Sequence, residues 1–114
     1  MKTVTIGISD RDQSNARFLK AFQGKKQGEF IGFENPSLLF KTLTLKRWGI
    51  LKVLTGKEPV SIREAARLAG RDVKAVHGDI TALLDAGILE RTKDNKISFP
   101  FDQIHVDFIL SDAG

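Results

Sequence analysis

The chain of 114 residues is 41% hydrophobic and 28% charged, so it can bury the core of one soluble globular domain without a metal or a disulfide. Because it contains no cysteine, disulfides, thiolate zinc sites and cysteine nucleophiles are excluded, which fits a reducing cytosol. The formal net charge is +4, and residues 41–96 carry twelve basic against seven acidic side chains, a balance that favours a polyanionic partner.

The N-terminal residues, MKTVTIGISD, contain no apolar run long enough for a signal peptide, and no later segment approaches the roughly 18 apolar residues of a membrane span. We therefore expect a cytoplasmic protein without a membrane segment. Alternation of apolar with polar or small residues at 3–8 predicts a half-buried strand. Asp10 then begins a predicted helix whose apolar side includes Phe18 and Phe22, and residues 30–34 predict a second short strand.

The next segment predicts two helices. Asn35 followed by Pro36 marks the start of the first, because asparagine caps a helix and proline suits its first turn. The second extends from about Thr44 to Thr55, and its apolar residues cover most of its circumference, which predicts a central helix packed on several sides. These apolar residues are Leu45, Trp48, Ile50, Leu51, Val53 and Leu54.

The most informative stretch is SIREAARLAGRDVKAVHGDITALLDAGILER, residues 61–91. Ser61 and Glu64 match a capping box at the start of a short helix. Gly70 ends this helix, and Asp72 is placed to cap a longer one after a tight turn. The longer helix carries a stripe within an arc of about 100° that predicts its core-facing side. The stripe consists of Val73, Val76, Ile80, Leu83 and Leu84.

The segment after this helix predicts a hairpin, because ILERTK and KISF flank the turn-forming pair Asp94 and Asn95. A central helix, a helix, a short turn, a helix and a hairpin are the elements of a winged helix-turn-helix, in its order. The sequence therefore predicts an α+β fold of three parts: a strand-helix-strand extension at 1–35, a winged helix-turn-helix DNA-binding domain at 36–100, and a C-terminal strand and tail at 101–114.

Four motifs also indicate a family: SIREAARLAGRD, the V-x-x-D-I-x-x-L after it, GILER, and FPF-x-x-I-x-V. With them, the run from Leu43 to about Leu110, about two thirds of the chain, resembles a family of predicted archaeal and bacterial winged-helix transcriptional regulators that are loosely similar to MarR proteins. The resemblance implies a DNA-binding regulator of the repressor type that forms a dimer. Members of the family often lie beside a small toxin gene, which further implies a role as an antitoxin.

The predicted DNA contacts fall into two classes. On the longer helix, Lys74, His77 and Thr81 are placed to reach base edges around a nearly smooth outward face made by Ala75 and Gly78. The remaining candidates are basic residues expected to meet phosphates, with a solvated surface charge as the alternative for each. They are Arg63 and Arg67 on the first helix of the motif, Arg71 at the turn, and Arg91, Lys93 and Lys96 in the wing.

Gly78 has three interpretations. A glycine inside a helix costs about 1 kcal/mol relative to alanine, and close approach to a major groove would explain it. Alternatively, the glycine is simply tolerated on an exposed face, or Ala75, Gly78 and Ala82 form a small-residue patch that packs against a helix of another protein. In the resembled family a longer polar residue often stands at this position, which argues against base contact from Gly78 itself.

A metal or catalytic pair of His77 and Asp79 is not expected. With Val73 at 0°, these residues lie near about 40° and 240° on the helix, on opposite borders of the apolar stripe. Asp79 is instead a candidate to hold Arg71 or another basic side chain, and His105 is predicted to face solvent from a strand. No Gly-rich phosphate loop or serine nucleophile context is present, so neither an enzyme nor a cofactor is expected.

The strand-like segments at 3–8, 30–34 and 103–110 carry more apolar surface than a winged helix needs for its own core. We predict that they form a small sheet, which with the Phe18–Phe22 helix makes a dimer platform that sets two recognition helices roughly 34 Å apart. The predicted function is a sequence-specific double-stranded DNA-binding transcriptional regulator, a repressor-type homodimer and candidate antitoxin. The alternative is a winged-helix module that binds a partner protein such as a toxin.

Overall fold

The computed structural model describes residues 2–8 and 29–107. The predicted N-terminal helix, and residues 108–110 of the predicted last strand, lie outside the described residues. The elements are β1 (Thr3–Ile8), β2 (Glu29–Phe33), α1 (Pro36–Thr42), α2 (Leu45–Leu54), α3 (Ile62–Ala69), α4 (Val73–Asp85), β3 (Glu90–Arg91), β4 (Ile97–Ser98) and β5 (Gln103–Asp107). None of the helices in these residues combines the length and hydropathy that a membrane span requires.

The three predicted strand segments form one parallel sheet in the order β2-β1-β5. The central strand is anchored by Val4 and Ile6, which are fully buried. Gly7 pairs in register with Asp107, and a Cβ atom at Gly7 would clash with the carbonyl oxygen of Asp107. Pairing of β1 with β5 in this register therefore requires glycine at this position.

Helices α2, α3 and α4 pack against one another and against the hairpin β3–β4, which gives the predicted winged helix-turn-helix within an α+β fold. The hairpin is also confirmed, with Arg91 opposite Ile97 and a left-handed Asn95 (φ 62°) in its turn. Val60, just before α3, exchanges backbone hydrogen bonds with Ile97, which fixes the wing to the helical core. The largest fully buried side chains of this region are Ile50, Leu51, Val76, Ile80, Leu83 and Ile97.

Two residues predicted to be packed are exposed. Leu45 is 87% exposed and Val73 is 42% exposed. Each is the first residue of its helix, where the side chain lies at the exposed end of the helix and not in its packed middle. The prediction that α2 packs on several sides is confirmed by its buried residues Ile50, Leu51 and Leu54, while one face, with Lys46, Gly49 and Lys52, is exposed.

The turn between α3 and α4 consists of three residues, Gly70, Arg71 and Asp72. Gly70 adopts the left-handed conformation (φ 65°), and the N–H of Arg71 donates to the carbonyl of Ala66 at 3.1 Å, which closes a Schellman motif. The carboxylate of Asp72 then accepts from the N–H groups of Lys74 and Ala75 and starts α4. The predicted helix end and the predicted cap are both confirmed.

Candidate nucleic-acid interface

The outward face of α4 is the exposed side of a helix whose other side lies in the core. Val76, Ile80 and Leu83 are fully buried and fix the helix. The predicted base-contacting residues Lys74, His77 and Thr81 are exposed, as are Ala75 and Gly78 of the predicted smooth face. The structure therefore brings these five residues together on one open surface.

Gly78 lies on this surface and has no side chain. A Cβ atom built at Gly78 meets nothing within 4 Å in the described residues, so packing within the described part of the chain does not explain the glycine. Thr81 donates its hydroxyl proton to the carbonyl of His77 at 2.8 Å. This bond orients the hydroxyl, whose oxygen can still accept a hydrogen bond.

The two predicted phosphate contacts on α3 differ in their surroundings. Arg63 is exposed, whereas Arg67 forms a forked pair with Glu64 one turn earlier on the same helix. The hydrogen bond from Arg67 lowers the pKa of the Glu64 carboxyl from its ordinary value, against a smaller opposing effect of desolvation. The capping box is therefore confirmed only in part, because the Ser61 hydroxyl accepts from the N–H of Glu64 at 3.0 Å while the carboxylate pairs with Arg67.

Arg71 lies in a half-buried ion pair rather than on an open surface. Its Nη2 atom donates to Oδ2 of Asp79 at 3.0 Å, which confirms that Asp79 holds this side chain. The other carboxylate oxygen, Oδ1, accepts from Nε of Arg47 at 3.1 Å. The side chains of Asp79, Arg47 and Arg71 are 18%, 23% and 24% exposed. We call these three residues the Asp79 cluster.

The electrostatics of the Asp79 cluster favour the ionised carboxylate. Partial burial on its own would raise the pKa of Asp79. The hydrogen bonds from Arg71 and Arg47, together with their positive charges, outweigh that effect and lower the pKa below its ordinary value of 3.8. Sequence reasoning missed Arg47, which is 32 residues from Asp79 in the chain and belongs to no local motif around it.

The wing contributes the third group of predicted phosphate contacts. Arg91 donates to the side-chain oxygen of Asn95 at 2.7 Å, and Lys96 lies 3.7 Å from the carboxylate of Asp94. Both pairs are local to the hairpin. Lys93, at the tip of the turn, is exposed. Together these side chains give the wing an exposed basic edge, although part of its charge is compensated by Asp94.

His77 and Asp79 have separate surroundings, since His77 is exposed and both oxygens of Asp79 accept from arginines. In residues 2–8 and 29–107, no cluster of three or more His, Cys, Asp or Glu side chains is arranged to hold a metal ion. His105 is exposed on β5, as predicted. The candidate interface therefore combines cations, one imidazole, the Thr81 hydroxyl and small residues on α3, α4 and the wing.

Comparison with known proteins gives one family and two similar structures. Residues 42–106 match the model of the HVO_A0114 family. A structure described as the predicted DNA-binding transcriptional regulator from E. coli has a TM-score of 0.53 and 21% identity, covering 80% of this chain and 84% of that one. A protein of unknown function from Listeria innocua has a TM-score of 0.46 and 18% identity, covering 77% of this chain and 61% of that one. No curated protein matches the sequence.

Proposed function

This chain belongs to the HVO_A0114 family, and from the exposed face of its α4 helix we propose that it binds double-stranded DNA as a sequence-specific transcriptional regulator. The observation that carries the proposal is the open surface around Gly78, flanked by Lys74, His77 and Thr81. A major groove about 12 Å wide accepts an α-helix, where Lys74 can donate to base edges and the Thr81 oxygen can accept from them. The proposed role is binding rather than catalysis.

Basic residues on both sides of α4 support this proposal. Arg63 and Arg67 lie on α3, and Arg91, Lys93 and Lys96 lie in the wing. In a winged helix these elements flank the recognition helix, where cations meet the phosphate backbone. The similar E. coli structure carries the description of a predicted DNA-binding transcriptional regulator, which agrees with the proposal.

The proposal includes a repressor-type homodimer. A dimer reads two half-sites about one helical turn apart, and its two-fold axis matches a palindromic operator. Support comes from the three-stranded sheet, in which β5 forms an edge that pairs with no further described strand. Val106 on this strand is 48% exposed. An exposed apolar edge strand is a surface on which a second copy can pair.

The direct experiment is a titration of fluorescent duplexes, one selected from a random library by the protein and one with the same bases scrambled. The dissociation constants should rise steeply with salt, because phosphate contacts release counterions. Lys74→Ala should weaken binding of the selected duplex by about 1 to 3 kcal/mol more than binding of the scrambled one. Lys57→Ala, an exposed lysine after α2, is the charge-matched control and should affect both duplexes alike.

Two results would contradict the proposal. Failure of the wild-type protein to bind any duplex at low salt would remove DNA as the partner. Equal weakening of both duplexes by Lys74→Ala would assign this lysine to phosphates and contradict its proposed role in reading bases.

A second candidate function is binding of a partner protein, such as a toxin, through the same face. The observation that favours it is the row of small residues Ala75, Gly78 and Ala82, which lets another helix approach closely. In that case the chain acts as an antitoxin. A stable complex with the product of an adjacent toxin gene, together with no duplex binding at low salt, would favour this candidate over the first.

A further inference from the structure

The Asp79 cluster connects three parts of the fold through one carboxylate, and a fourth part through Arg47. Asp79 lies on α4, Arg71 in the turn before it, and Arg47 on α2. Arg47 also donates from Nη1 to the carbonyl of Thr42 at 2.9 Å, at the end of α1. Two of the hydrogen bonds that hold α4 in place, one to α2 and one to the turn, therefore pass through the Asp79 side chain.

The carboxylate of Asp79 accepts the hydrogen bonds from Arg47 and Arg71 in fixed geometry. Each of its oxygens holds a different guanidinium, at 3.1 Å and 3.0 Å, and all three side chains are largely shielded from water. Paired charges in such surroundings are screened less than pairs on an open surface, and their planar donors allow little rotation. Hydrophobic contacts set the general packing of α4, whereas this cluster restricts its rotation and its shift along the axis.

Arg71 depends on Asp79 for its orientation. Its Nη1 atom is buried and has no hydrogen-bond partner in the described residues. The guanidinium is therefore held by Asp79 on one side only. Without the carboxylate, Arg71 would leave this position to regain solvation, because an unpaired buried donor is costly. The hydrogen bond that joins Arg71 of the turn to Asp79 of α4 would then be lost.

An acidic residue on a DNA-facing helix would ordinarily repel phosphates. In the cluster two guanidiniums surround one carboxylate, so its net charge is +1 and the repulsion is offset. Removal of the carboxylate charge should therefore strengthen binding to any DNA if electrostatics alone decide the outcome. If instead only the binding to a preferred sequence is weakened, the cause must be the lost positioning of α4.

On these grounds we propose that Asp79 is a positioning residue for DNA recognition, which contacts no base or phosphate and instead fixes the angle at which α4 meets the groove. The inference rests on the proposed function and specifies how sequence discrimination is maintained. It predicts that removal of the carboxylate weakens binding to preferred DNA and does not weaken binding to arbitrary DNA.

The test compares Asp79→Asn with Asp85→Asn in titrations of the selected and the scrambled duplex. Both variants raise the formal net charge from +4 to +5, and Asp85 is exposed at the end of the same helix. Asp79→Asn should weaken binding to the selected duplex by about tenfold while binding to the scrambled duplex stays equal or tightens. Asp85→Asn should leave the ratio of the two dissociation constants unchanged.

Arg47→Lys provides a second variant, since it keeps the charge and loses the planar fork. Arg47→Lys should lower the ratio of the dissociation constant for the scrambled duplex to that for the selected duplex, but by less than Asp79→Asn does. The double variant should have nearly the same ratio as Asp79→Asn alone, because both substitutions disrupt the pair between Arg47 and Asp79. All titrations are made below the melting temperature of each variant, with the folded state checked by circular dichroism.

The outcomes separate this inference from the proposed function. If the wild-type protein discriminates between the duplexes and Asp79→Asn discriminates as well, the positioning role is overturned and the proposed function stands. If Asp79→Asn weakens both duplexes equally, the residue acts on general affinity and the inference again fails. If the wild-type protein binds no duplex, or prefers no sequence, the proposed function itself fails.

Discussion

Asp79 should make the stability of the fold sensitive to acid. Its pKa is lowered in the folded state, so its stabilising contribution is complete above the ordinary value of 3.8 and is lost as the pH falls through the lowered pKa. We expect Asp79→Asn to reduce the free energy of unfolding by about 1 to 3 kcal/mol near pH 7, because the amide offers only one acceptor oxygen, and no negative charge, to two half-buried arginines.

Urea denaturation from pH 7 to pH 2.5 checks this expectation. The difference between the wild-type protein and Asp79→Asn should be constant down to about pH 4 and should disappear only below the ordinary value of 3.8. A difference that is already lost near pH 5, or one that is undiminished at pH 2.5, would contradict the role of the ionised carboxylate.

The surroundings of a side chain were predictable from the sequence where residues nearby in the chain determine them. The separation of His77 from Asp79 follows from helix geometry, and Asp79 lies close enough in the chain to Arg71 for that pair to be predicted. The bond from Arg47 depends on how α2 crosses α4, which no periodicity reveals. The exposure of Leu45 and Val73 was missed because a helical stripe does not indicate where packing stops.

At the scale of elements, the turn between α3 and α4 depends on the left-handed conformation of Gly70 (φ 65°). Gly70→Ala should reduce the free energy of unfolding by about 1 to 2 kcal/mol, since a Cβ atom is disfavoured in this region. Gly49→Ala is the control, because a Cβ at this exposed helical position meets nothing within 4 Å in the described residues. It should raise stability by up to about 1 kcal/mol.

Urea denaturation at pH 7 measures both effects. Equal stability of Gly70→Ala and the wild-type protein would show that the turn accepts another conformation. The caps of this region were predictable because each lies within three residues of the group it satisfies, as for Ser61 and Asp72. The pairing of Glu64 with Arg67 was not, because the carboxylate has two competing local partners.

At the scale of the whole molecule, the sheet unites segments from both ends of the described chain. Gly7→Ala should reduce the free energy of unfolding by about 1 to 3 kcal/mol, because its Cβ would meet the carbonyl oxygen of Asp107 and force β1 and β5 apart. Gly49→Ala again serves as the control. Stability equal to that of the wild-type protein in thermal unfolding would contradict the tight pairing of β1 with β5.

The existence of this sheet was predictable from surplus apolar strands, whereas its order and direction were not. Alternation marks β1, β2 and β5 individually, but it carries no information on which strand is central. The parallel pairing of Val4 with Ile104 joins residues 100 positions apart. The winged helix was predicted more completely, because its elements follow one another in the chain and its turns have local signals.

The outward face of α4 is the surface proposed to meet DNA. The most direct test is the binding of the selected duplex by Gly78→Glu and Gly49→Glu at one salt concentration. Both variants lower the formal net charge equally, and a Cβ at either glycine meets nothing within 4 Å in the described residues. We expect Gly78→Glu to raise the dissociation constant at least about tenfold and Gly49→Glu less than about threefold. Equal dissociation constants for the two variants would contradict contact between DNA and this face of α4.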